Sequence, residues 1–366
     1  MATATSRRET LLRILSPVIG FFAAIIILLI IVVAVGESPA AAIRAILRIT
    51  FGNPSRTATM ISQAIPLYIA GIAVAFAFQA GVFNIGVEGQ YYVGGLVAAM
   101  VGIYLKLPPI IHIPLVVIAA MVGGALWAAV PAMLKVGRGV HEVITTIMFN
   151  SIAIFFMNYL VNNPLSGLEH GESLEPQTKA IAETALFGRL NAFFQALGWK
   201  IGDHVYLDYS LVVALVFGVI VWIVIYKLRF GFEVRAVGEA LEVSRYSGMR
   251  VGRVQVTAFL MSGALAGLIG LQEIFAIRGF YTYEIARGLG FDGIAIALIG
   301  LNNPLGIVFS ALLFSFLRQA GYGLQLYTLV PNSVSYVITG LMIIIIVVTN
   351  EIMVRYIRNL RKQELA

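Results

Sequence analysis

The chain has 366 residues, of which 60% are hydrophobic and only 12% charged, against about a quarter charged in an ordinary soluble domain. Apolar runs of about 20 residues recur along it, the length that carries a helix across a bilayer core, and the dyad alternation of an outer-membrane barrel is absent. With no cysteine and four scattered histidines the chain offers neither disulfide nor thiolate or His-cluster metal site, and its +7 balance reads as basic loops facing the cytoplasm, not as a nucleic-acid surface.

In chain order, Arg7, Arg8 and Arg13 precede a first span, Ser16–Val35, which is too long and too apolar for a cleavable signal. Ala40–Arg56 carries Arg44 and Arg48 on one helical face and reads as an amphipathic helix on the outer surface, although its arginines oppose the positive-inside rule. A second span, Thr57–Ala80, is expected to bend at Pro66, and a third includes Gly81–Met100 and ends near Leu105. Pro109–Leu134 and Val143–Val161 follow, separated by a cytoplasmic turn with Lys135, Arg138 and His141. The polar stretch 162–208 holds Glu169, Glu172, Glu175, Glu183, Asp203 and Asp208 against three basic residues and belongs outside, as a partner-docking loop or a plain solvated one. Tyr209–Tyr226 leads into 227–255, the largest cytoplasmic element. The remaining spans are Val256–Phe275, with a Gly263/Gly267 spacing suited to close helix packing, then Ile285–Leu301, Leu305–Ala320 and Val334–Thr349, before a basic tail, 351–366.

This gives an all-α polytopic transmembrane bundle of about ten spans with both termini inside. Three parts make it up: an N-terminal span plus amphipathic segment (1–56), a transmembrane domain (57–350) and the tail. Cytoplasmic segments hold 15 of the 25 Lys/Arg and 7 acids, outer ones 10 and 9, the bias that orients membrane proteins. Gly81–Gly86 and Asn302–Pro304 carry no charge, so they read either as inner loops or as breaks at membrane depth, buried in protein or lining water. Asn84, Glu88 and Gln90 stand among glycines in an apolar run, where polar groups need a protein or aqueous reason. NIGVEGQYYVGGL from Asn84 is echoed by GLGFDGIAIALIG from Gly288, each with one acid between glycines, Glu88 and Asp292. The echo suggests two repeated halves with broken helices and a pathway at their interface.

Soluble chemistries fail on residue count. No GxxxxGK[ST] occurs, so the chain has no P-loop of its own. Gly288–Gly293 fits GxGxxG without a preceding strand, and His141-Glu142-Val-Ile-Thr145 has threonine where HExxH needs its second ligand. No nucleophile–base pair marks a membrane-embedded enzyme. In the cytoplasmic segment, Gly238-Glu239-Ala240 is expected to begin a short amphipathic helix with Leu241, Ser244 and Arg245, closed by Gly248. It reads as a solvated connector or as a coupling helix inserted into a groove of an ATPase, with Arg235 in register.

FNIGVEGQ (Phe83–Gln90), HEVITTIMFN (His141–Asn150), RAVGEALEVSRYSGM (Arg235–Met249) and GFDGIAIALIGLNNPLG (Gly290–Gly306) together resemble one family. It is the permease family of ABC importers for simple sugars and nucleosides, related to branched-chain amino acid permeases. The longer permease of its nucleoside branch is the nearest in layout. The resemblance implies a multi-pass subunit of the bacterial cytoplasmic membrane that binds no cofactor itself. Its implied partners are a shorter paralogous permease, a cytoplasmic ATPase holding ATP and Mg, and a substrate-binding lipoprotein. A neutral nucleoside needs amides and stacking faces, so Phe83, Asn84, Gln90, Asn150, Phe291 and Asn302 are the pathway candidates, with helix-to-helix hydrogen bonding the competing role of Asn84 and Asn150. Glu88 and Asp292 fit better as acceptors for helix N-terminal N–H groups than as substrate contacts, because the ligand carries no positive charge. The alternatives are a ribose-type sugar as cargo, or a secondary transporter using Glu88 or Asp292 as an ion site.

Overall fold

The structure, a computed structural model, describes residues 19–23, 25–167, 176–202, 205–282, 285, 288–328 and 330, with isolated positions between 337 and 356. Arg7, Arg8 and Arg13, the loop acids Glu169, Glu172, Glu175 and Asp203, half of the expected span Val334–Thr349, and Arg358, Arg361 and Lys362 lie outside the described residues. Among the described residues the chain is helical, with only isolated β-bridges. The helices are α1 (Ile19–Ala34), α2 (Pro39–Phe51), α3 (Pro54–Gln79), α4 (Val87–Tyr104), α5 (Pro109–Arg138) and α6 (Glu142–Asn162), then α7 (Asn191–Ala196), α8 (Tyr209–Lys227), α9 (Arg229–Glu239), α10 (Leu241–Tyr246), α11 (Val251–Gly267), α12 (Leu289–Ile299) and α13 (Pro304–Tyr327). Five of them, α3, α5, α6, α8 and α13, are long and apolar enough to cross a membrane. The chain divides into two compact units, 1–60 with 312–366, and 61–311, and the divisions fall inside α3 and α13.

In the first unit α2 buries Ala42, Ala45, Ile46, Ile49 and Thr50, and Ile49 and Ala45 close over Gly323. Its arginine has a local destination: Arg48 lies 4.8 Å over the ring of Tyr327 and Arg56 donates to the Tyr327 hydroxyl at 2.6 Å. The arginines of this segment are thus held locally, by an aromatic face and by backbone carbonyls.

The core of the second unit is α4, α5 and α11, brought together by missing side chains. A Cβ on Gly124 would sit 2.1 Å from the Gly263 carbonyl, and one on Gly267 would sit 2.0 Å from that of Ala120. The GxxxG pair of α11 is therefore a contact surface for α5, as its spacing predicted. Helix α11 departs from expectation at both ends. It starts at Val251, inside the stretch read as cytoplasmic loop, and stops at Gly267, giving way to a π-turn at Glu273–Arg278. Beyond α11, the N–H groups of Thr178, Ile181 and Phe187 take the carbonyls of Tyr281, Gly279 and Phe275 at 2.8–2.9 Å. Residues 176–190 are thus laid across the helix ends and fastened there.

The segment expected to be cytoplasmic also needs correction. Gly238, Glu239 and Ala240 do not begin a helix. Gly238 and Glu239 end α9, Ala240 breaks the chain at φ −149°, ψ 79°, and α10 restarts at Leu241. Gly248, at φ +82°, closes the segment as expected.

Candidate functional site

The polar stretch at Gly81–Gln90 is a break between α3 and α4. Gly81 turns the chain at φ +68°, a conformation that L side chains resist. Asn84 then folds back: its Oδ1 accepts from Gly86 N at 3.0 Å and Gln90 Nε2 at 3.0 Å, and its Nδ2 donates to Gln90 Oε1 and to Ser262 Oγ, both at 2.9 Å. Ser262 donates in turn to the Ala73 carbonyl at 2.7 Å. From α6, Asn150 donates to the Ile85 carbonyl at 2.9 Å and accepts from Gly89 N at 2.8 Å. Asn84 is 1% exposed. Buried amides with every donor and acceptor matched hold a bent backbone in one geometry.

Those bonds also set the depth of the break. Asn150 stands eight residues into the α6 span, about 12 Å from its start, and α4 begins at that level. At the near end Phe83 N reaches Glu142 Oε1 at 3.4 Å, and Glu142 pairs with Lys135 at 2.5 Å. The break therefore runs from the α5–α6 turn into the span.

Glu88 joins the two echoing segments. Only 4% exposed, it accepts from Gly288 N at 2.7 Å and Gly290 N at 2.8 Å, the first N–H groups of α12, and from Tyr92 Oη at 2.8 Å. A carboxylate on unsatisfied N-terminal N–H groups is favoured by hydrogen bonding and by the helix dipole together. The starts of α4 and α12 abut there, with room only for glycine: a Cβ on Gly290 would lie 2.6 Å from Glu88 N. Helix α12, at 11 residues, is about 16 Å long, roughly half of a bilayer core. Asp292, the acid matched to Glu88 by sequence, lies half-buried at the fourth residue of α12, whereas Glu88 is the second of α4.

A second break separates α12 from α13. Leu301 and Asn302 both adopt positive φ, 55° and 54°, and Asn303 caps α13 through Oδ1, which accepts from Leu305 N at 3.0 Å. The Asn-Asn-Pro sequence is a stop followed by a cap and a Pro start. Asn302 Oδ1 is buried without a partner among the described residues.

Gln79, unmarked by sequence, links these parts. Its Nε2 donates to the Asn302 carbonyl at 3.1 Å, and its own carbonyl lies where a Cβ of Gly238 would be, 2.2 Å away. The end of α9 thus sits directly on the end of α3 and on Gly81. Arg235, expected to face a partner, is instead tied to the Ile225 carbonyl and lies 5.4 Å over the ring of Tyr226. Phe83 (37% exposed) stacks on Phe78 at 4.8 Å, and Phe291 is 51% exposed. Leu241 is half-buried and Ser244 buried, while Arg245 meets Glu242 at the surface beside Tyr246, which is 90% exposed. Sequence reading also missed a buried cluster beside the start of α8. There Gln272 Nε2 reaches Ser62 Oγ, the Tyr206 carbonyl and Asp208 Oδ2 at 3.0–3.3 Å, and burial pushes the Asp208 carboxyl up.

A multi-pass bundle with two broken helices, whose half-helix starts abut within the span, has the architecture of a membrane transporter's translocation subunit. Residues 56–347 match the family described as branched-chain amino acid transport system, permease component, and the chain belongs to that family. It is 36% identical over 97% of its length to the guanosine ABC transporter permease protein NupP of Bacillus subtilis, covering 99% of that protein. It is 32% identical over 93% to the nucleoside ABC transporter permease protein NupB of Lactococcus lactis, covering 91% of it. The same identity, over 93% of the chain, relates it to the glucose ABC transporter permease protein of Haloferax volcanii, with 88% of that protein covered. The two bacteria each have a second, more distant match, NupQ and NupC, at 26% and 23% identity over 75% and 70% of this chain. No solved structure matches. The chain is thus a translocation component and not an enzyme.

Proposed function

We propose that this permease carries a nucleoside into the cytoplasm as one of two membrane subunits driven by a separate ATPase. The observation that carries the mechanism is the seat of Gly238 on Gln79 and Gly81. A cytoplasmic segment with exposed Val243 and Tyr246 is a surface for a partner, and its root touches the backbone of a broken helix. Movement of α9–α10 when the ATPase closes is passed to Gln79 and from there to Asn302, at the break between α12 and α13. Alternating access follows as rigid-body rocking around the fixed Glu88 joint.

The amides Asn84, Gln90 and Asn150 are committed to the backbone and to each other, so they shape the pathway without offering free groups. Phe83 and Phe291 present open aromatic faces, which suit a base better than a sugar alone. The nucleoside and guanosine permeases among the relatives support that cargo, and the second permeases of the same bacteria support pairing with a shorter paralogue. The glucose relative favours a monosaccharide as the second reading. In this scheme both termini and α9–α10 are cytoplasmic, ATP and Mg sit on the ATPase, and a lipoprotein delivers the solute from outside.

The test is reconstitution of the chain with its co-purifying subunits in vesicles. ATP-dependent guanosine uptake, competed by other nucleosides and not by ribose or glucose, is expected. Uptake that follows an ion gradient without ATP would overturn the mechanism, and competition by the sugars alone would move the cargo to the second reading.

A further inference from the structure

A cleft of about 610 Å³ opens between the start of α9, the α10–α11 turn and the first turns of α11. Three guanidinium groups line it, Arg229, Arg250 and Arg253, against one carboxylate, Glu233. Arg229 Nε lies 3.4 Å from Glu233 Oε1 in a largely exposed pair, the kind that is worth little. Arg250 and Arg253 are exposed and make no ion pair or side-chain hydrogen bond among the described residues. The cleft therefore holds two uncommitted planar forks, the groups best matched to phosphate oxygens.

Phe230, Phe232 and Val254 also line it, beside the arginines on the same two helices. Its height is fixed by the chain: Arg229 comes two residues after Lys227, where the α8 span ends, and Arg250 immediately precedes α11. Guanidinium groups beside apolar side chains, at the level where a span leaves the hydrocarbon, match a ligand with a phosphate at one end and an apolar tail at the other. A free phosphate or an acidic protein side chain would use the arginines and leave the phenylalanines unmatched. The volume is in the range of small-ligand sites, ~300–1,000 Å³, and far exceeds a single phosphate. We infer that this cleft binds the headgroup of an anionic phospholipid. Arg250 and Arg253 hold its phosphodiester, and Phe232 lies along the glycerol and upper acyl chains. The inference goes beyond the proposed function and does not depend on the solute carried.

The full-length chain, purified with its co-purifying subunits, is placed in phosphatidylcholine nanodiscs into which phosphatidylglycerol is titrated, and thermal unfolding is followed. Phosphatidylglycerol should raise the Tm saturably. The Arg250→Gln/Arg253→Gln variant should need about tenfold more lipid for the same rise, while Arg250→Lys/Arg253→Lys, which keeps the charge and loses the fork, should fall between it and the unaltered protein. The single variant Arg253→Gln supplies the comparison if the double variant does not fold. An unchanged response in the Gln variants overturns the inference. So does an equal, arginine-dependent rise with inorganic phosphate, which would make the site a free-anion site. A response present only without the ATPase overturns it too, since the arginines would then belong to the protein interface. Nucleoside uptake is read from the same variants reconstituted in sealed vesicles, so loss of transport with an intact lipid response in nanodiscs bears on the proposed function alone.

Discussion

The two breaks of this permease solve one problem in opposite ways. At Gly81–Gly86 the freed backbone groups are taken up by Asn84, Asn150 and Glu142, and the amides themselves are satisfied by Gln90 and Ser262. At Leu301–Asn302 two non-glycine residues sit at positive φ, a strain of about 1–2 kcal/mol each. One outside bond from Gln79 holds them, and one buried amide oxygen lacks a partner among the described residues. The first break is over-determined and keeps its shape. The second stores strain, and it is linked through Gln79 to the end of α9. In a transporter these are the attributes of a fixed joint and a moving one.

Substitutions at the joint should have the largest effects. Gly290→Val places a Cβ against the Glu88 backbone at 2.6 Å, where no flexible side chain can yield. Folded, monodisperse protein should be lost in size-exclusion chromatography of the detergent extract, and uptake with it. Gly238→Val meets the Gln79 carbonyl in the same way, but outside the packed core. Assembly should survive, with ATPase activity of the complex retained and uptake reduced about tenfold or more. Equal loss of both activities would show that the contact does not transmit movement.

Glu88→Gln tests the joint more gently. It keeps size and weakens acceptors on three hydrogen bonds, at about 1.5–3 kcal/mol for a charged acceptor. A fall in Tm accompanied by a matching fall in uptake is expected, and normal assembly and Tm with uptake abolished would reassign Glu88 to solute contact. The smallest effect belongs to the moving break. Asn302→Gly removes a strained φ and an unpaired buried amide while leaving the carbonyl that Gln79 uses, so Tm should rise slightly, by up to about 1 kcal/mol of stability. A fall in Tm would mean that this break is as firmly held as the first.

Much of the layout was legible without coordinates, because it depends on local composition. The bounds of α5, α6 and α8 fall within a few residues of their apolar runs, and Asn302-Asn303-Pro304 stood out as an interruption, either an inner loop or a break. Other positions misled for physical reasons. Gly238 looked like a helix start because glycine often opens one, whereas it is small because a carbonyl of α3 lies against it. Arg235 looked like a partner contact because arginine is usually exposed, yet the Ile225 carbonyl and the Tyr226 ring hold it within the protein. Gln79 carried no signal, since one glutamine at a helix end is ordinary until its neighbours are known.

The sequence by itself determined that this chain is a membrane bundle with polar or glycine-rich interruptions at two places, since hydrocarbon leaves only long apolar helices and makes such interruptions stand out, but it left open whether they were inner loops or breaks. It also made Glu88 conspicuous as a charge in the wrong solvent. Only the tertiary structure decided what Glu88 does, because its partners, the N–H groups at the start of α12, lie 200 and 202 residues further along the chain. A helix start exposes its donors whatever the side chains nearby. Which acid answers them is a matter of packing, and here the absence of a side chain at Gly290 lets α4 approach close enough for Glu88 to do so.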